Sequence, residues 1–172
     1  SLIATLSLLK IVQSVQITGW VYADNWFQLY FNGVKVAEDP VYFYPHNAVY
    51  VSFTAPDDGL YSFAFWAQDF ANTSTGLEPR QNGDGDFAGW CVGDGGIRMK
   101  LSDGTVTDGN WKCTVVHEGP NESECQGGEC IDMNMKPSEC TASENAYPAC
   151  WYETECPAAD SWTSATEYSQ DT

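Results

Sequence analysis

Residues 17–33 read ITGWVYADNWFQLYFNG and decide the fold class of this chain. From Ile17 to Asp24, small or apolar residues alternate with polar or aromatic ones, and residues 26–31 are rich in aromatics. Period-two alternation is typical of a β-strand that buries one face. The stretch ends in Asn32-Gly33, and both residues tolerate the positive φ of a type I′ turn. It therefore predicts two strands, the second continuing through a two-residue hairpin into VKVAE.

Short runs of strand-forming residues continue as far as Val116. We expect further strands over residues 48–54, 60–68, 96–101, 105–107 and 111–116. Turn-forming triplets such as Asp57-Asp58-Gly59 separate them, and no sustained helical period is present. The pattern predicts an all-β fold, an antiparallel β-sandwich of jelly-roll-like type, followed by a disulfide-rich and mostly irregular tail.

Charge is unevenly distributed along the sequence. The 172 residues include 24 Asp and Glu against seven Lys and Arg, a formal net charge of −17. A field of that sign argues against polyanionic partners such as nucleic acid and anionic lipid. Residues 113–172 hold 12 of the acids and one base, whereas most aromatic residues precede them. We therefore expect a body with a hydrophobic core and an acidic tail.

Cysteines mark the tail as a disulfide scaffold. Six of the seven lie in the last 60 residues, about 10%, a content typical of secreted, cross-linked chains. The spacing includes no CxxC pair, which disfavours a zinc site. Because the number is odd, either Cys91 pairs with a tail cysteine and leaves another over, or one partner lies in another chain. The candidate disulfide residues are Cys91, Cys113, Cys125, Cys130, Cys140, Cys150 and Cys156.

The chain divides into an apolar stretch over residues 1–16, a β-sandwich domain over 17–117 and the acidic Cys-rich tail over 118–172. The first segment, SLIATLSLLKIVQSVQ, is too short to span a bilayer and resembles the apolar region of a secretory signal peptide. A buried strand or helix, or an arm that packs on a neighbouring subunit, are the alternatives. Glycosylation sequons at Asn72 and Asn121 agree with secretion. We predict a location outside the cell or at its surface, with no membrane insertion of the mature chain.

The run ADNWFQLYFNG resembles a hairpin that recurs in galactose-binding-like and PA14-like β-sandwich domains. Residues 90–97, followed by Trp111, resemble a closing strand of secreted modules of the same type. In PA14-like adhesins, sugar binding goes through calcium held by two adjacent aspartates and an Asn-x-Asp loop. The resemblance therefore implies calcium ligands at Asp24 and Asn25, although Asn25 stands where the family has a second aspartate.

A second candidate calcium site lies in the Gly-rich segment NGDGD. Asn82, Asp84 and Asp86 place three oxygen-bearing side chains at alternate positions, a spacing that suits the flexible oxygen coordination of calcium. An ordinary exposed acidic turn is the alternative, because Gly and Asp also suit turn conformations. Calcium is the one cofactor that the sequence suggests.

Most aromatic side chains are expected to fill the sandwich core. Four others are candidate contacts with a sugar or a subunit. Tyr42 and Tyr44 share one face of a loop or edge strand, and Trp151 and Tyr152 lie in a tail with no core of its own.

The sequence offers no recognisable catalytic set. It has two histidines and lacks the nucleophile, zinc and phosphate-loop signatures of common enzymes, so we expect a protein that is not an enzyme. A secreted hydrolase would need a carboxylate pair in a deep cleft. The favoured hypothesis is an extracellular structural or adhesive subunit of a surface filament, appendage or coat that self-associates into a homo-oligomer or polymer. A calcium-assisted carbohydrate-binding module is the alternative.

Overall fold

The computed structural model describes residues 14–41, 47–56, 61–81, 84, 87–92, 95–122, 125 and 139–167. Most strands are short, and every described pairing is antiparallel. The strands are β1 (Ser14–Asp24), β2 (Trp26–Phe31), β3 (Val34–Glu38), β4 (Val49–Pro56), β5 (Phe63–Gln68), β6 (Leu77–Gln81), β7 (Phe87–Val92), β8 (Gly96–Leu101), β9 (Lys112–Cys113), β10 (His117–Glu118), β11 (Ser143–Glu144) and β12 (Thr163–Ser164). The predicted all-β, antiparallel fold class is confirmed.

Two three-stranded sheets form the body of the protein. The first has the strand order β4-β1-β8 and the second has the order β3-β2-β5. Their central strands, β1 and β2, are consecutive in the chain and are separated only by Asn25. The chain therefore passes from one layer to the other at a single residue. β1 begins at Ser14, so the end of the apolar stretch belongs to this strand.

The hydrophobic core lies between the two sheets. The odd-numbered positions of β1 face inward, with Ile17, Val21 and Ala23 buried. Phe27 and Leu29 of β2 meet them from the second sheet and are also fully buried. The alternation predicted from the sequence is thus the alternation of core and outer face.

The Asn32-Gly33 hairpin is confirmed. Asn32 and Gly33 have φ of 46° and 78°, and Phe31 pairs with Val34 across the turn. The side chain of Asn32 also accepts a hydrogen bond from the backbone N–H of Ser62 at 2.8 Å. The turn therefore joins β2 to β3 and helps to position the start of β5.

A separate hairpin, β6–β7, carries a second and smaller core. Leu77 packs there with the buried cysteines Cys125 and Cys140, and Trp90 covers them. Cys125 and Cys140 form a disulfide bond. This part of the tail is therefore cross-linked within itself, and an apolar contact holds it against the β6–β7 hairpin.

The region after β8 bends earlier than the sequence predicts. The expected strand over 105–107 is reduced to a single bridge between Lys100 and Val106, and the one over 111–116 to Lys112–Cys113. Asp108 causes the bend, because its side chain accepts from the N–H of Asn110 and its carbonyl accepts from the N–H of Trp111. An aspartate that bonds the backbone two residues ahead competes with strand pairing.

The tail folds back along the body in short pieces. β9 pairs with β12 and β10 pairs with β11, and a 3₁₀ helix over Pro157–Ser161 precedes β12. Near the hairpin turn, the Ser62 hydroxyl lies 3.4 Å from that of Thr154. Within the described ranges, no helix has the length and apolar character needed to cross a bilayer.

Candidate functional site

The outer face of the first sheet carries an exposed aromatic pair. Trp20 of β1 and Tyr50 of β4 are directly opposite each other in the strand register. Their rings lie 5.2 Å apart in an edge-to-face arrangement with an interplanar angle of 67°. Trp20 is 56% exposed and Tyr50 is 55% exposed. Large aromatic side chains that remain this open on a soluble protein mark candidate interaction surfaces.

Basic side chains flank this pair on the other side of β1. Lys100 of β8 is opposite Trp20, and Arg98 is opposite Tyr22. Both basic residues are exposed. Because directly opposed residues on neighbouring strands have Cβ atoms about 5 Å apart, each cation lies beside an aromatic ring.

Polar side chains continue the same face toward the start of β1. The amide of Gln16 donates to the Ser52 hydroxyl at 2.8 Å and accepts from the Thr54 hydroxyl at 3.2 Å. Together with the aromatic and basic residues described above, these polar residues form what we call the aromatic-basic face. It consists of Gln16, Thr18, Trp20, Tyr22, Tyr50, Ser52, Thr54, Arg98 and Lys100.

Alternation in β1 indicated that Trp20 and Tyr22 lie on the opposite side from Val21 and Ala23, yet these aromatics were not among the sequence candidates. The sequence does not say which strands flank β1, so it could not place Tyr50 and Lys100 beside Trp20. The cross-strand register supplies that information.

The candidate tail aromatics pack on the protein itself. Trp151 contacts Tyr30 and Trp66 at ring separations of 5.0 and 5.7 Å. Tyr152 stacks on Tyr30 at 4.9 Å, and Tyr147 meets Trp66 at 5.2 Å. Tyr30 and Trp66 belong to β2 and β5, so these tail residues cover the outer face of the second sheet. Trp151 and Tyr152 are half-buried there.

The other aromatic candidates, Tyr42 and Tyr44, lie outside the described residues.

Three of the five candidate calcium ligands, Asp24, Asn25 and Asp84, lie among the described residues. Asn25 uses its side-chain oxygen to accept the N–H of Phe70 at 2.6 Å. Asp84 is exposed in the β6–β7 turn. Asn82 and Asp86 lie outside the described residues.

Across the described ranges, no three His, Cys, Asp or Glu side chains come together as a metal site. Calcium therefore stays a prediction of the sequence.

The cysteines form a mixed set. Cys125 pairs with Cys140 and Cys150 pairs with Cys156, while Cys91 is also disulfide-bonded. Among the described cysteines, the thiol of Cys113 is free, and this residue is exposed on β9. The sequence has seven cysteines, and Cys113 is the unpaired one among those that the structure describes. Cys130 lies outside the described residues.

Both glycosylation sequons lie on the surface beside the β10–β11 pair. Asn72 is exposed and its side chain accepts from the N–H of Ser74 at 2.9 Å. Asn121 is exposed too, and its side chain accepts from the Ser143 hydroxyl at 3.3 Å. Neither residue belongs to the aromatic-basic face.

Among the described residues, Lys35 and Glu122 have shifted pKa values. The contact with Glu38 raises the pKa of Lys35. Two hydrogen bonds from Thr141, one from its hydroxyl and one from its backbone N–H, lower the pKa of Glu122. Both groups lie away from the aromatic-basic face.

Comparison with known proteins identifies no relative of this chain: no family model, curated protein or solved structure matches it.

Proposed function

We propose that this chain is an extracellular adhesive protein that binds carbohydrate through the aromatic-basic face of its first sheet. The observation that supports the proposal is the exposed Trp20–Tyr50 pair. An aromatic ring can stack on the apolar C–H face of a sugar, while neighbouring hydroxyls, amides and cations bond its polar edge. The face offers these groups on rigid strands, which limits the entropy lost on binding.

An extracellular location is consistent with the disulfides of the tail, because such bonds persist in oxidising compartments. The sequons at Asn72 and Asn121 support the same location. The docked tail also bears on the choice of surface. Since Trp151 and Tyr152 cover the second sheet, the first sheet is the one whose outer aromatics are open to a ligand.

A panel of immobilised glycans tests the proposal. We expect binding that Trp20→Ala weakens about 30-fold, since a central aromatic contact contributes about 2 kcal/mol. Tyr50→Ala should weaken the same interaction. Phe70→Ala is the matched control, because Phe70 is also an open aromatic, 42% exposed, but lies at the corner after β5 and outside this face.

If all three variants bind like the wild type, the site is wrongly placed. If the wild type retains no glycan on the panel, the carbohydrate-binding function is wrong. We expect binding to persist in a chelator, because the face contacts sugar through side chains alone. Loss of binding in the chelator would instead favour the calcium-assisted alternative.

A second candidate function is a subunit of a filament or coat, and the exposed thiol of Cys113 favours it. An exposed free thiol in an oxidising compartment can join two chains. This function predicts covalent dimers on non-reducing gels and their loss in Cys113→Ser. A chain that stays monomeric at high concentration, by both gel and light scattering, would contradict it.

A further inference from the structure

We infer that the ligand of the aromatic-basic face is an acidic sugar, specifically a glycan that contains uronic acid; this inference rests on the proposed function and names its ligand class. A uronic acid is a sugar ring that carries one carboxylate. It therefore combines the apolar face that stacks on tryptophan with a charge that pairs with lysine or arginine.

The local charge of this face is opposite to that of the whole protein. The chain has a net charge of −17, yet the nine residues of the face include two cations, Arg98 and Lys100, and no acid. The nearest acid in the same outward register of β1 is Asp24, at the very end of the strand. A concentration of positive charge in so acidic a chain points to an anionic partner.

The two cations are also available to a ligand. Within the described residues, neither Arg98 nor Lys100 forms an ion pair. Lys35 shows the contrast, because it is held by Glu38 on the second sheet. Arg98 can bond a carboxylate through two parallel N–H groups, and Lys100 can act as a point charge.

The register sets the dimensions of the site. Tyr50, Trp20 and Lys100 form one row across three neighbouring strands, so the row is about 10 Å wide at the usual strand spacing. Along β1, the face runs from Gln16 to Tyr22, about 20 Å. A ring stacked on Trp20 would lie beside Lys100, and the face is long enough for neighbouring sugars of the same chain.

The angle between the aromatic rings favours a single chain over a flat polysaccharide surface. Trp20 and Tyr50 are inclined at 67°, so they cannot both lie flat on one planar crystal face. One ring can stack on a sugar while the other contacts its edge.

The net charge sets a limit on the ligand. The field of the acidic tail repels anions at long range, but ionic strength screens it beyond about 8 Å, whereas the face meets its ligand in direct contact. A uronic acid carries one charge per ring and is repelled less than a densely sulfated chain. A second copy of this protein is a poorer occupant, because it would bring another 17 negative charges.

The experiment compares each acidic oligouronide with its own methyl ester, which has the same ring and no charge. Titration calorimetry at physiological ionic strength should give about tenfold tighter binding of at least one acid than of its ester, the value for two exposed ion pairs. In the double variant Arg98→Gln/Lys100→Gln, the acid and its ester should bind equally.

The double variant Lys35→Gln/Lys112→Gln is the matched control, because it lowers the net charge by the same amount outside the face. It should keep the preference for the acid. If this control removes the preference as fully as Arg98→Gln/Lys100→Gln does, the preference for the acid comes from the long-range field of the protein and the inference is wrong. Equal binding of acids and esters by the wild type overturns the inference and leaves the proposed function standing. Binding of no oligouronide or other glycan refutes both.

Discussion

Trp151→Ala tests whether the tail is part of the folded body. The indole is half-buried and makes three ring contacts, with Tyr30, Trp66 and Tyr152. Truncation of a fully buried tryptophan costs about 3–5 kcal/mol, and a half-buried one should lose about half of that. We therefore expect the free energy of unfolding to fall by about 2 kcal/mol. For a chain of this size, the melting temperature should fall by about 4–8 °C.

Urea unfolding followed by far-UV circular dichroism measures this change. The matched control is Trp20→Ala, which removes the same side chain from the open face, where it is 56% exposed and contacts Tyr50. That variant should lose less than about 1 kcal/mol. If Trp151→Ala is no more destabilising than Trp20→Ala, the tail is not docked on the second sheet and the reasoning fails.

Three further predictions concern the tail and its junctions. Gly76→Ala should destabilise the protein by more than about 2 kcal/mol, because φ is +70° and the new methyl group would lie 2.5 Å from the backbone of Gly119. Gly104→Ala should lose only about 1 kcal/mol, because its φ is +94° but the space around it is open. Thermal melts of the two variants give the difference, and equal losses would show that crowding is irrelevant. The lowered pKa of Glu122 stabilises the fold at neutral pH, and this contribution is lost as the pH falls below the usual carboxyl range. In Glu122→Gln, the free energy of unfolding should therefore fall less steeply with acidification than in the wild type. An equally steep fall in both proteins would contradict this prediction. Thiol titration of the native protein should find a reactive group that is absent in Cys113→Ser; equal titres in the two proteins would contradict the free thiol described for Cys113.

The central part of the fold could be predicted because local rules and tertiary structure agree there. Strict alternation in β1 and the turn preference of Asn32-Gly33 do not depend on distant contacts, and both hold in the structure. β6 was missed for the opposite reason. Leu77–Gln81 reads LEPRQ, and Pro79 within a charged segment argues against a strand, but the segment pairs with β7 around buried Leu77.

The candidate site was only partly visible in the sequence. The alternation along β1 predicts that Trp20 faces outward. Tyr50 and Lys100 come from strands about 30 and 80 residues later in the chain, and only the sheet register places them beside Trp20. The tail aromatics were predicted to be open to a partner. Alternation along β2 shows which face of the sheet carries Tyr30. It does not show that Trp151 and Tyr152, more than 100 positions later, cover that face.

The docked tail also separates opposite charges between the two sheets. Residues 139–167 include six acids and no base, and their aromatic anchor lies on the outside of one layer, while Arg98 and Lys100 lie on the outside of the other. Under the proposed function, this separation of charge would turn the molecule as it comes within the screening length, about 8 Å, of an anionic glycan. Beside such a glycan, the open sheet would face the ligand and the acidic tail would face the medium.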